Sequence, residues 1–286
     1  MKTLAVIPAR FASTRLPGKP LLPVRGVPLV VRVLRRVERC SSVDRIIVAA
    51  DDERVAEAVH RAGGECLLTP PELPSGGDRV AWVAERIPSD LVLNVQVDDP
   101  LVGPDMIDPL AAAMGDPAVM LALLSKRIDR EEEVFSPNIV KMVFDAGGRA
   151  LYFSRSPIPC PRNGDPVYYK HIGPYCWRRD FLLKFSSWEQ TPLERTESLE
   201  MLRVLERGHS IACVPVERDT IEIDTNDAGS TYVTAEGGTG DDKITVGGNT
   251  LDYVTVWGDV AGARPPIEVV TGADTKDGNP FVGAGS

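Results

Sequence analysis

The sequence predicts an α/β domain built on a mainly parallel sheet flanked by helices, with an antiparallel β-rich insertion and a β-like C-terminal appendage. Two observations carry the core of this reading. Short apolar runs at Leu4 to Ile7, Arg45 to Ala50 and Leu91 to Val95 alternate with amphipathic stretches up to about residue 125, which is the pattern of βα units. The densest chemical motif in the chain, Ala9 to Pro20 with its three cations Arg10, Arg15 and Lys19, directly follows the first of these strands, at the sheet edge where α/β folds place ligands.

The elements follow in order. Leu29, Val30, Val33, Leu34 and Val37 recur at helical spacing while Arg32, Arg35, Arg36 and Arg39 fall on other faces, so a helix lies on the sheet between the first two strands. Asp52 to Ala62 predicts a second helix, stopped by Gly63-Gly64, and Pro104 to Met114 a third with proline in its first turn. From Ile139 to Val143, Ala150 to Phe153 and Val167 to Trp177 the pattern is β-rich without intervening helices. This predicts an antiparallel insertion or subunit-contact layer over about residues 137–190. Leu193 to Arg207 returns to helical spacing, ends at Gly208 and leads into a strand at Ser210 to Val216. The α/β domain is thus expected to span 1–228. Residues 229–286, rich in Gly, Thr, Asp and Val, are expected to form a small β appendage or partly ordered tail. Within it, Gly237 to Thr245 fits a single calcium-binding nonapeptide, where a β-helix needs about three stacked repeats; a plain turn before a strand is the preferred reading.

Composition excludes several classes of function. A chain of 286 residues, 43% hydrophobic, can bury a full core, and its net charge of -9 argues against general nucleic-acid binding. No run approaches ~18 apolar residues, and the opening apolar stretch breaks at Pro8, so a cytoplasmic protein without a membrane span or signal segment is expected. The five cysteines are widely spaced and include no C-x-x-C pair, which suggests neither a disulfide framework nor a zinc site.

Chemistry concentrates in a few segments. Arg10, Arg15 and Lys19, with Ser13 and Gly18 between them, can wrap a polyphosphate: guanidinium groups bind bidentately, lysine supplies a point charge and backbone N–H groups fill in. The loop is neither a Walker A nor a Rossmann fingerprint. Asp98 and Asp99 follow a buried strand, where a carboxylate can hold Mg²⁺, although on their own they also read as a turn before Pro100. Ser75 to Arg79, taken alone, reads as a loop opening a helix, with Asp78 at its N-terminal dipole.

The R-x-x-S-x-R-x-P-x-K pattern formed by Arg10, Ser13, Arg15, Pro17 and Lys19 resembles the signature of the sugar-activating cytidylyltransferases. From residue 2 to about 225 the chain is most similar to the 3-deoxy-manno-octulosonate cytidylyltransferases. The further matching segments are Asn94 to Pro100, Ser75 to Arg79, Tyr152 to Pro159, His171 to Tyr175, Pro192 to Arg203 and Ile223 to Thr225. The resemblance implies a nucleotide-diphospho-sugar transferase fold and transfer of CMP from CTP to the anomeric hydroxyl of a sugar acid, 3-deoxy-D-manno-octulosonate (Kdo), for lipopolysaccharide. It implies Mg²⁺ on Asp98 and Asp224, and triphosphate on Arg10, Ser13, Arg15 and Lys19, with Lys19, Arg10 and Asp98 catalytic. Base and ribose fall to Ser75, Gly76, Arg79 and Gln96, and the sugar acid to Gln96, Arg155, His171, Tyr175 and Glu194. A homodimer is also implied.

The chain departs from the family pattern at Val97 (usually glycine), Asp99 (usually glutamate) and Met201 (usually glutamine), and after Thr225, where the expected C-terminal helix is replaced by the β-like tail. Val97 is expected to restrict the backbone, Met201 to lose a polar contact, and the altered end to loosen the support of Asp224. Three rivals remain open at this stage: an acylneuraminate or other sugar-acid cytidylyltransferase, an inactive nucleotide-binding or assembly module, and a chain whose tail is the functional element, as a β adhesion or calcium module carried by the enzyme.

Overall fold

The computed structural model describes residues 1–12, 17–24, 26–225, 231–237 and 255–258, the segments from 221 onward by backbone path alone. In chain order the elements are β1 (Thr3–Ala9), a single 3-10 turn (Lys19–Leu21), β2 (Pro23–Val24), β3 (Val27–Pro28), α1 (Leu29–Val37), β4 (Arg45–Ala50), α2 (Glu53–Arg61), β5 (Cys66–Leu68), α3 (Gly76–Arg86), β6 (Leu91–Asn94) and α4 (Pro104–Ala113). The second half holds β7 (Leu121–Arg127), α5 (Glu131–Phe135), β8 (Lys141–Phe144), β9 (Ala150–Ser154), β10 (Tyr169–Arg178), α6 (Arg179–Ser186), α7 (Pro192–Glu197), α8 (Met201–Glu206), β11 (Ile211–Val216), β12 (Ile221–Thr225), β13 (Thr231–Gly237) and β14 (Thr255–Gly258).

The main sheet runs β11-β7-β10-β6-β1-β4-β5, with β8 and β9 attached beyond β10. Its pairs β1/β4, β1/β6, β4/β5 and β7/β11 are parallel, and β10 alone on this path is antiparallel to both its neighbours. Two apolar clusters fill the two faces. Ala5, Ile7, Val48 and Leu93 pack with α1, α2 and α4 on one side, and Leu4, Val6, Ile47 and Val92 with α3, α6 and α8 on the other. The alternation follows from the period of two in a strand, and each fully buried Val, Leu or Ile stabilises the fold by roughly 1.5–3 kcal/mol relative to exposure.

Local signals place the helices as their sequences imply. Asp52 caps α2 by accepting the Arg54 N–H at 2.9 Å, and Gly63 takes the left-handed conformation (φ 79°) that ends it. Gly64 serves packing: a Cβ there would lie 2.5 Å from Leu34 Cδ2 and 2.9 Å from Val59 Cγ1. Gly64→Ala should therefore cost about 1–3 kcal/mol by overpacking α1 against α2. A urea midpoint unchanged from the parent protein would refute this.

The 137–190 section differs from expectation in two ways. Its strands are antiparallel as anticipated, but β10 enters the main sheet between β6 and β7 instead of forming a separate layer. The section also contains a helix, α6, because Phe181, Leu182 and Phe185 fall on the buried face of a short amphipathic turn, the two phenylalanine rings against Trp177. The single helix expected over Leu193 to Arg207 is two, α7 and α8, broken at Ser198. Among the described residues Ser198 is the one non-glycine with positive φ (55°).

The departures from the family pattern are accommodated. Val97 packs into the apolar core with ordinary negative φ, so no backbone freedom is missing there. Met201 is buried in the apolar cluster that also holds Leu199 and Leu202. In the tail, β12 pairs antiparallel with β13, which pairs parallel with β14. Residues 226–230, 238–254 and 259–286, with nearly all of the nonapeptide, lie outside the described residues. Among the described residues no helix is long and apolar enough to cross a membrane.

Candidate active site

The basic loop is pinned at both ends. As β1 finishes, the Phe11 N–H donates to Asp51 Oδ1 at 2.7 Å, and the Gly18 N–H closes the loop onto the Phe11 carbonyl at 2.9 Å. Gly18 needs its left-handed backbone (φ 77°), and a Cβ there would touch the Phe11 ring at 3.4 Å. Arg54 covers that ring, its guanidinium carbon 3.7 Å from the centroid. Ser13 and Arg15 lie outside the described residues. Arg10 stands exposed at the end of β1, and Lys19 opens the 3-10 turn.

Lys19 reaches across to the other predicted half of the site: its ammonium donates to Asp98 Oδ2 at 2.6 Å. The two residues are 79 positions apart in sequence. The parallel order of β1 and β6 brings them together, because loops leaving neighbouring parallel strands emerge at the same sheet edge. Asp99 turns inward, its Oδ1 accepting the N–H groups of Leu101 and Val102 at 3.1 Å each, so the pair of aspartates divides into a turn-former and an outward carboxylate. Asp98 suits Mg²⁺, an oxygen-seeking ion that usually takes one or two carboxylates and completes its shell with water and phosphate. No group of three or more potential ligands occurs among the described residues. Asp224 lies in β12, whose side chains are outside the described set.

Arg79 is placed differently from a base contact. It is 1% exposed, and its fork donates to Thr69 Oγ1, the Pro70 carbonyl and Asp51 Oδ2 (3.4 Å). Burial pushes this guanidinium down from its ordinary value; Asp51 opposes the shift and Arg10 adds to it. Arg79 and Asp51 thus form a buried anchor beneath the basic loop. Ser75 caps α3, accepting the Asp78 N–H at 3.0 Å and donating to Asp78 Oδ2 at 2.6 Å, and Gly76 packs on Pro8.

A cavity of about 650 Å³ opens beside that helix end. Ser75, Gly77, Asp78 and Asn94 form one wall, Glu194, Ser198, Glu200 and Arg203 another, with Trp177 and Phe185 among the apolar lining. Gln96 donates to Asn94 Oδ1 at 3.2 Å, Asn94 faces Tyr175 across the β6/β10 pairing, and the Tyr175 ring lies 5.0 Å from that of His171. Three of the five expected sugar-acid residues therefore form one connected string.

The other two are occupied within the protein. Glu194 gives both oxygens to Arg203, at 2.5 and 2.7 Å, and one of them also to the Thr191 N–H in a capping box. Arg155 donates to the carbonyls of Pro137, Glu197 and Ser198.

Sequence reasoning missed Asp51, Asn94 and Glu200. Asp51 and Asn94 stand at strand ends, like Asp98, and that position is the signal. Glu200 is an acid in an otherwise apolar run, Leu199 to Leu202, and its Oε2 lies 3.4 Å from where a Gly77 Cβ would stand. Burial raises its carboxyl above the usual range; Arg203 opposes this, while Glu194 and Asp78 add to it.

Burial alone pushes the His171 imidazole down to about 4, and its Nε2 has no hydrogen-bond partner among the described residues. The ring is neutral near pH 7, able to donate or accept one bond. Because the folded value lies below the unfolded value of about 6.5, the unfolded chain takes up the proton first. This contribution to stability is complete above pH about 6.5 and falls as pH drops toward the folded value, by on the order of 1 kcal/mol at pH 5 for a half-buried ring. Urea unfolding at pH 7.5 and 5 should show that loss in the parent protein and less of it in His171→Asn; equal losses in both would refute it.

A parallel α/β sheet, a cationic loop after its first strand and a facing carboxylate after a neighbouring one define the nucleotidyltransferase class. A cytidylyltransferase family model matches residues 4–211. The chain is 46% identical to the 3-deoxy-manno-octulosonate cytidylyltransferase of Geobacter metallireducens, over 79% of this chain and 94% of that one. It is 44% identical to the Geobacter sulfurreducens enzyme, over 79% and 95%. Among solved structures, a CMP:2-keto-3-deoxy-manno-octonic acid synthetase complexed with CTP superposes with a TM-score of 0.74 at 40% identity, covering 77% of this chain and 91% of that one. A 4-diphosphocytidyl-2C-methyl-D-erythritol synthase from Anaerococcus prevotii shares the fold (TM-score 0.53, 16% identity, 80% and 94% covered). The chain belongs to the 3-deoxy-manno-octulosonate cytidylyltransferase family.

Proposed function

We propose that this chain transfers CMP from CTP to the anomeric hydroxyl of Kdo, releasing pyrophosphate, as a cytoplasmic step of sugar activation for lipopolysaccharide. The observation that carries the reading is the 2.6 Å contact of Lys19 with Asp98, which joins a phosphate-binding cation to a metal-type carboxylate at one sheet edge. The hydroxyl oxygen attacks the α-phosphorus, the bond to the bridging oxygen of the β-phosphate breaks, and the hydroxyl proton leaves to solvent. Such a reaction needs alignment and charge stabilisation, with no covalent intermediate.

Arg10 and Lys19, with Ser13 and Arg15, hold the triphosphate and take up the charge that develops on pyrophosphate. Asp98 and Asp224 would hold Mg²⁺, which when bound would neutralise charge on the phosphates and favour ionisation of the attacking hydroxyl. Ser75 and Gly76, at the N-terminus of α3, border the base and ribose, and Arg79 supports the loop from below. Gln96, His171 and Tyr175 face the sugar acid, with Glu200 accepting from its hydroxyls; the unpartnered His171 Nε2 supports this assignment. Arg155 and Glu194, spent on protein partners, shape the same wall.

Exposed Leu151 and Val167 in the antiparallel section, with exposed Phe135 at the end of α5 just before it, support a homodimer through that section. Pyrophosphate release with CTP, Mg²⁺ and a panel of sugar acids tests the reading. Release with Kdo and little with acylneuraminate is expected; CTP binding without release from any acceptor would overturn it.

A further inference from the structure

Lys141, at the start of β8, is fully buried, yet it reaches none of the residues around the cavity. A buried ammonium is costly unless each proton finds an acceptor. Here the acceptors are three backbone carbonyls: Ser136 and Ile139, each at 2.7 Å, and Arg155. The first two belong to the loop entering β8, the third to the turn leaving β9.

That turn is locked in the opposite direction as well. Ser154 Oγ donates to Glu197 Oε1 at 2.7 Å, and the Arg155 N–H donates to Glu197 Oε2 at 2.9 Å. The Arg155 guanidinium donates to the Glu197 carbonyl at 2.8 Å and the Pro137 carbonyl at 2.9 Å. Glu197 ends α7, and the chain then passes through the left-handed Ser198 to Glu200, so the wall carrying the Glu200 carboxylate hangs from this lattice.

We propose that Lys141 is a positioning residue for the acceptor half of the site: by tying the 136–141 loop to the 154–156 turn it sets, through Glu197, where Ser198 to Glu200 stand. The proposal rests on the reading that the cavity takes the sugar acid. Methionine preserves the length and apolar stem of lysine and removes the charge together with its three donors. Lys141→Met should raise KM for Kdo about tenfold, the size of one lost bonded contact, and leave KM for CTP within about twofold. In a Glu200→Gln background it should add less than about twofold, because its route to the acceptor is already cut.

Equal rises in both KM values, or an undiminished effect in the Glu200→Gln background, would overturn the proposal alone. If Lys141→Met does not fold, Ser154→Ala loosens the same lattice at Glu197 and should shift the Kdo KM alone; an unshifted value overturns the proposal. An unchanged Kdo KM in Glu200→Gln by itself overturns the underlying reading of the cavity, and the proposal with it.

Discussion

Asp98→Asn should abolish pyrophosphate release from CTP and Kdo, a loss of about 10²–10³-fold or more, while the protein stays folded. Among the described residues the carboxylate is the outward acid at the sheet edge that Lys19 reaches, and asparagine keeps its shape while removing its charge. A neutral amide binds Mg²⁺ weakly and no longer balances Lys19, so the triphosphate would meet an unopposed cation in a site short of its metal. CTP affinity measured without Mg²⁺ should therefore hold or improve as turnover collapses. Stability should change by less than about 1 kcal/mol, since the pair is partly open to water and such pairs contribute little. Lys19→Met should lose turnover too, and the double variant should fall little further than the worse single one, as expected for groups acting as a unit. Turnover of Asp98→Asn within about threefold of the parent would remove this carboxylate from the reaction.

The residues of this site differ in how legible they were. Lys19, Arg10 and Asp98 could be found because α/β sheets concentrate ligand chemistry where strands end, and the ends of β1 and β6 are visible as apolar runs giving way to charge. The helices α1, α2 and α4 are equally visible, α1 by its amphipathic stripe, α2 by its Gly63-Gly64 stop and α4 by the proline in its first turn. The family resemblance assigns Arg79, Arg155 and Glu194 to substrate, and arginine forks and carboxylates do suit phosphates and sugars. The same forks suit backbone carbonyls and buried acids, and which partner wins depends on contacts 9–43 residues away that no local pattern encodes. The insertion of β10 between β6 and β7 is of the same kind: an alternating strand declares its faces, but its neighbours follow from register across the whole sheet. Helix α6 escaped notice for a simpler reason, since its two turns are too short to establish a period.

The second large effect falls on one of these reassigned residues. Arg79→Met should destabilise the protein by about 3–5 kcal/mol, because the carboxylate of Asp51, 4% exposed, would be left buried without its cation. Methionine replaces much of the stem volume, so the loss reports charge and hydrogen bonding more than a cavity. Asp51 Oδ1 also holds the Phe11 N–H, and Phe11 in turn closes the basic loop onto Gly18, so weakening the anchor should loosen the grip on the triphosphate and raise KM for CTP. Adding Asp51→Asn should recover part of the stability by removing the stranded charge, but not the CTP affinity, since asparagine holds Phe11 less firmly. Urea unfolding of the single and double variants, read beside CTP binding, separates an anchor from a base contact. A residue that only touched the base would lose CTP affinity at unchanged stability, and that pattern would return Arg79 to the nucleotide.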